Sequence, residues 1–150
     1  MLQMLRCYGK ISYLCAVFNR IKRKRRIYRL CLEHARQYSM EREFRMACGI
    51  FGNPLEALEE VISSGCHRIL TSGCQPSAEQ GIHTLAALVH QAAGRIVILA
   101  GAGVTPANAA HIIQQTGVTE IHGSCKQTLP DGTIQTDPEI VKQLIKSITL

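Results

Sequence analysis

The feature that most constrains this chain is one strand-loop-helix unit between Arg95 and Gly117. The run Arg95–Ala100 is short, apolar and rich in β-branched residues, which is typical of a strand buried on both faces. A turn flanked by two glycines, residues 101–103, follows the strand and gives the backbone conformational freedom. Apolar residues then recur at helical spacing from Ala107 to Gln115, until Gly117 ends the helix. This stretch therefore predicts one βα unit.

The same pattern is repeated on both sides of this unit. Glycines at positions 65, 94 and 117 each follow a helical stretch, at intervals of 29 and 23 residues, and this spacing is typical of βα units. The further predicted features, in chain order, are a helix begun by Asn53 and Pro54, a strand from Arg68 to Leu70, a helix capped by Ser77, a helix capped by Thr105 and Pro106, a strand from Thr119 to His122, a turn at Pro130–Gly132, and a C-terminal helix from about Asp137 with Ile140, Val141, Leu144 and Ile145 inward.

Repeated βα units build a parallel sheet with crossover helices, and ligands bind at the loops that follow the strands. A complete eight-unit barrel needs at least about 200 residues, whereas this chain has 150. The sequence therefore predicts an α/β fold that is a partial TIM-type barrel of three to four βα units. Such an open sheet leaves edges and an apolar face uncovered, so we expect self-association.

The charge is concentrated at one end of the chain. Residues 1–45 carry 12 Lys and Arg against 3 acidic residues, a net of +9, and residues 46–150 carry 5 against 8, a net of −3, which together give +6. We therefore separate a basic N-terminal arm, residues 1–43, helical or disordered, from a partial barrel, residues 44–150. The run Arg20–Arg29 suits a solvated tail best, although contact with nucleic acid or a nuclear localisation signal is the alternative.

Neither a membrane span nor a disulfide framework is expected. The longest uncharged run of the arm, Ile11–Asn19, is far shorter than the roughly 20 residues that cross a bilayer. The seven cysteines have no paired spacing and lie in an α/β pattern, which favours reduced thiols in an intracellular protein. We expect a cytoplasmic location, with the nucleus as a further site if the basic run directs import.

Two segments of the sequence resemble a known family. The succession LEALEEVISSGCHRILTSGC, followed by GRIVILAGAGVTPANAAHIIQQTGVTEIHGS, is similar to the C-terminal half of the CutC family of copper homeostasis proteins. The resemblance covers residues 54 to about 128 and is carried by RILTSG together with the GRIV strand and its Gly-x-Gly turn. It implies a TIM-type barrel and a role in handling copper, and it relates the arm to nothing in the family.

The chain also departs from the family pattern. The family's strand motif Phe-His-Arg-Ala-Phe-Asp falls on residues 44–49, so Arg45, Met46 and Gly49 replace its His, Arg and Asp. The site that the family's His, Arg and Asp form is therefore degraded in this chain. Two loops differ as well: the family's Pro-Gly-Gly-Gly is Ala100–Gly103, and its Ser-Ala-Arg is Ser124–Lys126.

Cysteine and histidine are the candidate ligands for copper, because Cu(I) is soft and prefers thiolate, with imidazole second. Cys74 lies in a loop after a strand, and the resemblance places a cysteine there in animal-type members of the family. Cys125 and His122 lie at the end of the last strand, at the same edge, whereas Cys66 precedes its strand at the opposite edge. We predict a Cu(I) site of Cys74, Cys125 and His122; the alternative is that the cysteines are small buried hydrophobes and the histidine a strand residue.

A second candidate site is a phosphate cradle. Gly101 and Gly103 follow one strand, and Gly123 and Ser124 follow the next, so small residues meet at adjacent strand ends. Backbone amides at such loops attract anions, and barrels often bind phosphate there. The alternative is that these glycines only serve tight turns.

Catalysis finds little support in the sequence. No Ser or Cys is accompanied by a recognisable base and an orienting carboxylate, and the loop acids at the ligand edge are Glu79 and Asp131. The preferred hypothesis is therefore a protein that binds or buffers copper without turnover. The alternatives are a remnant of a barrel enzyme that binds a phosphorylated ligand, and a nuclear or nucleic-acid interaction module that uses Arg20–Arg29.

Overall fold

A computed structural model describes residues 53–149 and, outside this range, the backbone of three strands. These strands are β1 (Leu5–Cys7), β2 (Lys10–Cys15) and β3 (Arg42–Met46). The first two lie in the arm, for which the sequence predicted a helix or disorder; the basic run Arg20–Arg29 lies outside the described residues. β3 contains the start of the segment that aligns with the family's strand motif, whose last position, Gly49, is also outside them.

The described chain alternates strands and helices. The six strands β1 to β6 form one sheet in chain order; β1 and β2 pair antiparallel, and every later pair is parallel. This arrangement confirms the predicted α/β partial barrel. From residue 53 onward the elements are α1 (Pro54–Ser63), β4 (Arg68–Thr71), α2 (Ile82–Ala92), β5 (Val97–Gly101), α3 (Ala109–Thr116), β6 (Glu120–His122), the hairpin β7 (Lys126–Thr128) and β8 (Ile134–Thr136), and α4 (Pro138–Ile148).

Two helices begin where the sequence predicted. The Asn53 carboxamide oxygen accepts a hydrogen bond from the Leu55 amide at 3.0 Å, and the Asp137 carboxylate accepts one from the Glu139 amide at 2.7 Å. Each bond satisfies a backbone donor that lacks a partner in the first helical turn. At the far end of α3, Gly117 adopts φ +71° and ends the helix as predicted.

The helices α2 and α3 begin later than the sequence predicted. Their N-caps are Gly81 and Asn108, and in each case a turn precedes the helix. The Ser77 hydroxyl still accepts from the Gln80 amide at 3.3 Å, within the turn before α2. The Ala109 amide donates to the Thr105 carbonyl at 3.0 Å, so helix-type bonding does begin at Thr105. Hydrogen bonding thus starts near the expected residues, although the regular helices follow one turn later.

One face of the sheet packs against the helices. Ile69, Ile98 and Ala100 point to this face and are buried there. Burying a side chain of the size of Leu or Ile contributes about 1.5–3 kcal/mol, so this layer is a main source of stability. The helices contribute Leu58 and Val61 from α1, Leu85 and Leu88 from α2, and Ile112 from α3.

The opposite face carries Leu70 and Leu99, which are paired neighbours in the sheet. Their exposed fractions are only 7% and 8%. The expectation that this apolar face is left uncovered is therefore wrong at these two positions.

The C-terminal part differs from expectation in two respects. The residues on either side of Pro130–Gly132 pair as the hairpin β7–β8, where the sequence predicted only a turn. In α4, Leu144 is buried as predicted, but the side chain of Ile145 is 56% exposed although it was expected inward. No helix in the described part of the chain combines the length and the apolar character that crossing a membrane requires.

Candidate functional site

The candidate site lies where β4, β5 and β6 end, because parallel strands present their carboxyl ends at one edge of the sheet. We call the three segments that follow these strands the carboxyl-edge loops. They comprise residues 72–81, 102–108 and 123–125.

Direct contacts join the three carboxyl-edge loops. The Ala78 amide donates to the Ala102 carbonyl at 2.9 Å, which links the first loop to the second. A Cβ placed on Gly123 would lie 3.3 Å from the Val104 carbonyl oxygen, so the third loop touches the second. The residues that the sequence assigned to separate turns therefore form one surface.

Asn108 organises the middle loop, a role that was not predicted from the sequence. Its carboxamide oxygen accepts from the Thr105 amide at 2.8 Å, while its nitrogen donates to the Gly103 carbonyl at 3.0 Å and to the Glu79 carboxylate at 3.2 Å. One side chain thus fixes its own loop and holds an acid of the neighbouring loop. An Asn just before a helix is the signal that could have identified it.

Each of the three loops contains one non-glycine residue in the left-handed conformation. These residues are Cys74 with φ +61°, Ala102 with φ +79° and Cys125 with φ +45°. Such a conformation costs a residue with a Cβ roughly 1–2 kcal/mol. The folded chain therefore bears conformational strain in each of these loops, as it also does at Ala93 after α2. Strain of this kind is often found at functional sites.

The described cysteines, all thiols, have different surroundings. Cys74 is half-buried in its loop and packs against the hydrophobic core. Cys66 is buried before β4, at the opposite edge of the sheet, as predicted from its position. Cys125 is 8% exposed within the core, and its sulfur is 3.6 Å from the position of a Cβ on Gly123. Cys74 is therefore the most accessible of these three thiols.

His122 and Cys125 are close in sequence but differ in environment. His122 is exposed on β6, opposite Gly101 of β5, while Cys125 is buried in the core. Among the side chains of residues 53–149, no three His, Cys, Asp or Glu come together to hold a metal ion. These residues do not fit a closed three-ligand copper site within one chain. The set Cys74, Cys125 and His122 stays a prediction.

Two of the four residues of the predicted phosphate cradle, Gly101 and Gly123, lie against the side chains of distant residues. A Cβ on Gly101 would lie 2.6 Å from Leu70 Cδ1, and one on Gly123 would lie 2.8 Å from Leu144 Cδ2. At either position a side chain would fit only if the end of the neighbouring leucine side chain moved. Gly103 and Ser124 are exposed, and within the described part of the chain neither backbone amide donates to a protein acceptor.

The two loop acids are held by local hydrogen bonds. The Thr133 backbone amide donates to the Asp131 carboxylate at 2.9 Å, and this bond lowers the pKa of Asp131 below its ordinary value. Glu79 accepts from Asn108, as described above. Both carboxylates thus have structural partners.

Parallel strands, crossover helices and joined carboxyl-edge loops define the chain as a partial βα barrel of the TIM type. The sequence profile of the CutC family matches residues 26–127, which is more than half of the chain. The chain belongs to the CutC family. The match begins inside the segment 1–43 that we separated as an arm, and the boundary at residue 44 stays a prediction.

Relatives and solved structures agree with this assignment. A CutC family protein of Vibrio campbellii is 63% identical over 75 residues, which are 50% of this chain and 30% of the relative. One of Bacteroides thetaiotaomicron is 49% identical over 86 residues, 57% of this chain and 34% of the relative. The chain thus spans about a third of the length of these curated relatives.

The fold is also similar to that of a solved family structure. The crystal structure described as a candidate copper homeostasis protein CutC from Streptococcus agalactiae matches with a TM-score of 0.58 and 22% identity. The match covers 76% of this chain and 71% of that one. At this identity the likeness shows the common fold.

Proposed function

We propose that this chain takes part in copper homeostasis by binding or buffering Cu(I), with Cys74 as the principal ligand. Membership of the CutC family supports the proposal, since the solved relative from Streptococcus agalactiae is described as a candidate copper homeostasis protein. Thiolate is the side-chain ligand that soft Cu(I) prefers.

The observation that carries the proposal is the position of Cys74. It is the one described thiol that lies in a carboxyl-edge loop without being fully buried. Cys125 lies in such a loop but is buried, and Cys66 is buried at the opposite edge. Of the three described thiols, Cys74 is therefore the most open to a metal ion that arrives from solvent.

The bound ion is expected to have low coordination. Because three donors do not converge within residues 53–149, this part of the chain supplies fewer than three ligands to a Cu(I) ion at Cys74. An ion held in this way exchanges readily, which suits buffering better than permanent storage.

The test is competition for Cu(I) between the protein and a chromogenic Cu(I) chelator. Cys74→Ser is expected to remove most of the binding, while the matched controls Cys66→Ser and Cys125→Ser retain it. Equal affinity in the wild type and Cys74→Ser would refute the assignment. Loss in all three variants would show that the thiols bind without a specific site.

A second candidate function is the binding of a phosphorylated ligand. The exposed amides of Gly103, before α3, and of Ser124, between β6 and β7, favour it, because neither donates to an acceptor in the described part of the chain and such loop amides attract anions. Amide chemical shifts during a titration with inorganic phosphate provide the test. Gly103→Val should abolish the shifts by crowding the amides, whereas the distant Gly94→Val should leave them unchanged. Absence of shifts at these amides in the wild type would eliminate this function.

A further inference from the structure

The turn of the β7–β8 hairpin contains a chemically reactive dipeptide, Asp131–Gly132. In such a dipeptide the backbone nitrogen of the glycine can attack the side-chain carboxyl of the aspartate, because no Cβ on the second residue obstructs the approach. The attack forms the C–N bond of a succinimide ring and releases one water, which takes the proton from the nitrogen. A second water then opens the ring at either carbonyl and gives aspartate or its isomer, isoaspartate.

Asp131 is the aspartate of this chain that suits the reaction. The sequence contains two aspartates, and the other, Asp137, precedes Pro138, which has no backbone N–H to lose. No asparagine of the chain precedes a glycine. Asp131 and Gly132 are both exposed, and apart from its chain neighbours no heavy atom lies within 4 Å of a Cβ placed on Gly132. Water therefore has access to the dipeptide, and a ring has room to form.

The folded turn withholds both reacting groups. The Gly132 amide donates to the Leu129 carbonyl at 2.9 Å, so the nitrogen must leave this bond before it attacks. The Asp131 carboxylate accepts from the Thr133 amide at 2.9 Å, and this bond lowers the pKa of Asp131. An ionised carboxylate is a poor electrophile, because the oxygen that departs as water needs a proton. The two bonds therefore oppose ring closure while the hairpin is closed.

The hairpin has little to keep it closed. Among the described strands, β7 and β8 pair only with each other, and a two-stranded ribbon is marginally stable by itself. Ile134 of β8 is 62% exposed, so its side chain adds little burial to hold the strands together. An element of this kind opens at a smaller free energy than the whole domain. We propose that Asp131–Gly132 is a site of isoaspartate formation, and that opening of the β7–β8 hairpin sets the rate.

The product cannot restore the hairpin that it came from. In isoaspartate the main chain runs through the side-chain carbon, which adds one carbon to the backbone inside the turn. The register that places Thr128 opposite Ile134 then no longer closes. At the base of the hairpin, the Asp137 amide donates to the Cys125 carbonyl at 2.8 Å. The modified segment is thus attached directly to one of the carboxyl-edge loops.

The first test compares the folded and the unfolded full chain. The protein is incubated at neutral pH in buffer and in concentrated urea. Isoaspartate is quantified by enzymatic methylation and located by peptide mapping with electron-transfer fragmentation. It should accumulate at residue 131 and not at residue 137, and at least about fivefold more slowly in buffer, which corresponds to an opening free energy of about 1 kcal/mol. A synthetic peptide of residues 126–136, incubated in both solutions, corrects for the effect of urea on the chemistry.

The second test changes the hairpin without changing the reacting groups. Pro130→Ala releases the fixed backbone angle in the turn and favours the open hairpin. We expect isoaspartate to form about two- to fivefold faster than in the wild type in buffer, and at the same rate in urea. Asp131→Glu should abolish the signal, because the longer side chain does not form the five-membered ring. Circular dichroism verifies that the variants are folded in buffer.

Several results would overturn the proposal. Absence of isoaspartate at residue 131 in urea would remove the site. Equal corrected rates in buffer and urea would show that the hairpin does not protect the dipeptide, and a faster rate in buffer would show that the fold promotes the reaction. An unchanged rate for folded Pro130→Ala in buffer would show that opening of the hairpin does not set the rate.

Discussion

Gly73 and Gly81 lie in backbone contact, and this contact closes the loop that holds Cys74. A Cβ on Gly73 would overlap the carbonyl oxygen of Gly81, and a Cβ on Gly81 would overlap the carbonyl oxygen of Ser72 and lie 3.1 Å from the Gly73 Cα. The loop after β4 therefore returns onto itself at the start of α2, and only glycine permits this at both ends.

The first prediction concerns Gly81. Its φ of −90° is allowed for any residue, so the cost of Gly81→Ala comes from the lack of space alone. The obstacle is backbone, which cannot rotate away as a side chain does, and we expect a loss of about 2–3 kcal/mol in the free energy of unfolding. Urea denaturation measures it.

Gly94→Ala is the matched control for this change. Gly94 has φ +76° and open space around its Cβ position, so only the left-handed conformation opposes alanine, at about 1 kcal/mol. A smaller loss for Gly81→Ala than for Gly94→Ala would show that the close approach of Gly73 and Gly81 does not constrain the loop.

The second prediction concerns the strain at Ala102. Its φ of +79° is unfavourable for alanine, and its side chain is exposed, so Ala102→Gly removes strain without leaving a cavity. Thermal and urea denaturation are expected to show a gain of about 0.5–1 kcal/mol, after the entropy cost of glycine is subtracted.

The neighbouring change Ala107→Gly serves as the comparison. Ala107 is also exposed but does not have a positive φ, so glycine brings only its entropy cost of about 0.5–1 kcal/mol. Destabilisation by both changes to the same extent would mean that Ala102 is not strained.

The third prediction concerns the exposed pair of Glu59 in α1 and Arg95 before β5. The Arg95 guanidinium donates two hydrogen bonds to the Glu59 carboxylate, at 2.7 and 2.8 Å, and the Gln91 side chain donates a third. These bonds, chiefly those from Arg95, lower the pKa of Glu59 to about 2. The pKa in the folded state is thus below the ordinary value of 4.5. The stabilisation by this pair is complete above pH 4.5 and is lost as pH falls towards 2.

Unfolding by urea at neutral pH and at about pH 3 tests this dependence. The difference in the free energy of unfolding between wild type and Glu59→Gln is expected to be small, because the side chains of Glu59 and Arg95 are both exposed. This difference should shrink at the lower pH. Arg95→Gln should behave in the same way because it removes the same pair. If the difference in the free energy of unfolding grew as the pH fell, the pKa of Glu59 would not be lowered in the folded state.

The fourth prediction concerns Arg68 and Glu120, which form an ion pair across β5. The Arg68 Nε is 2.7 Å from Glu120 Oε2, and its Nη2 is 3.0 Å from Oε1. The side chains are 27% and 35% exposed, so solvent screens the pair. A double-mutant cycle with Arg68→Gln and Glu120→Gln should give a coupling of about 0.5–1 kcal/mol. A coupling near zero would mean that the two bonds are not maintained in solution.

Much of the fold could be predicted from the sequence, since local chemistry specifies it. Asn53 and Asp137 cap their helices because their side chains reach amides two residues away, and Gly117 ends α3 because it adopts a positive φ. The apolar runs around Ile69 and Ile98 are strands for a reason equally visible in the sequence: both faces are buried. These features depend on residues close together in the chain.

The candidate site was less predictable. The sequence correctly placed Cys74 in a loop at the carboxyl edge and Cys66 at the opposite one, because strand direction follows from the βα order. It could not separate the exposed His122 from the buried Cys125, since both occupy the end of β6. It also missed Asn108, whose three hydrogen bonds exist only once two loops are brought together.

The sequence by itself determined the alternation of helices and strands between Asn53 and His122 and the helix caps Asn53 and Asp137, because these depend on short-range hydrogen bonding and on periodicity. Only the tertiary structure decided which glycines pack against side chains that are distant in the sequence. Gly101 and Gly123 adjoin the side chains of Leu70 and Leu144, which are 31 and 21 residues away in sequence (101 − 70 and 144 − 123). It also decided that Ile145 faces solvent while Leu144 is buried. Contacts between distant residues set these outcomes, and a local pattern does not contain them.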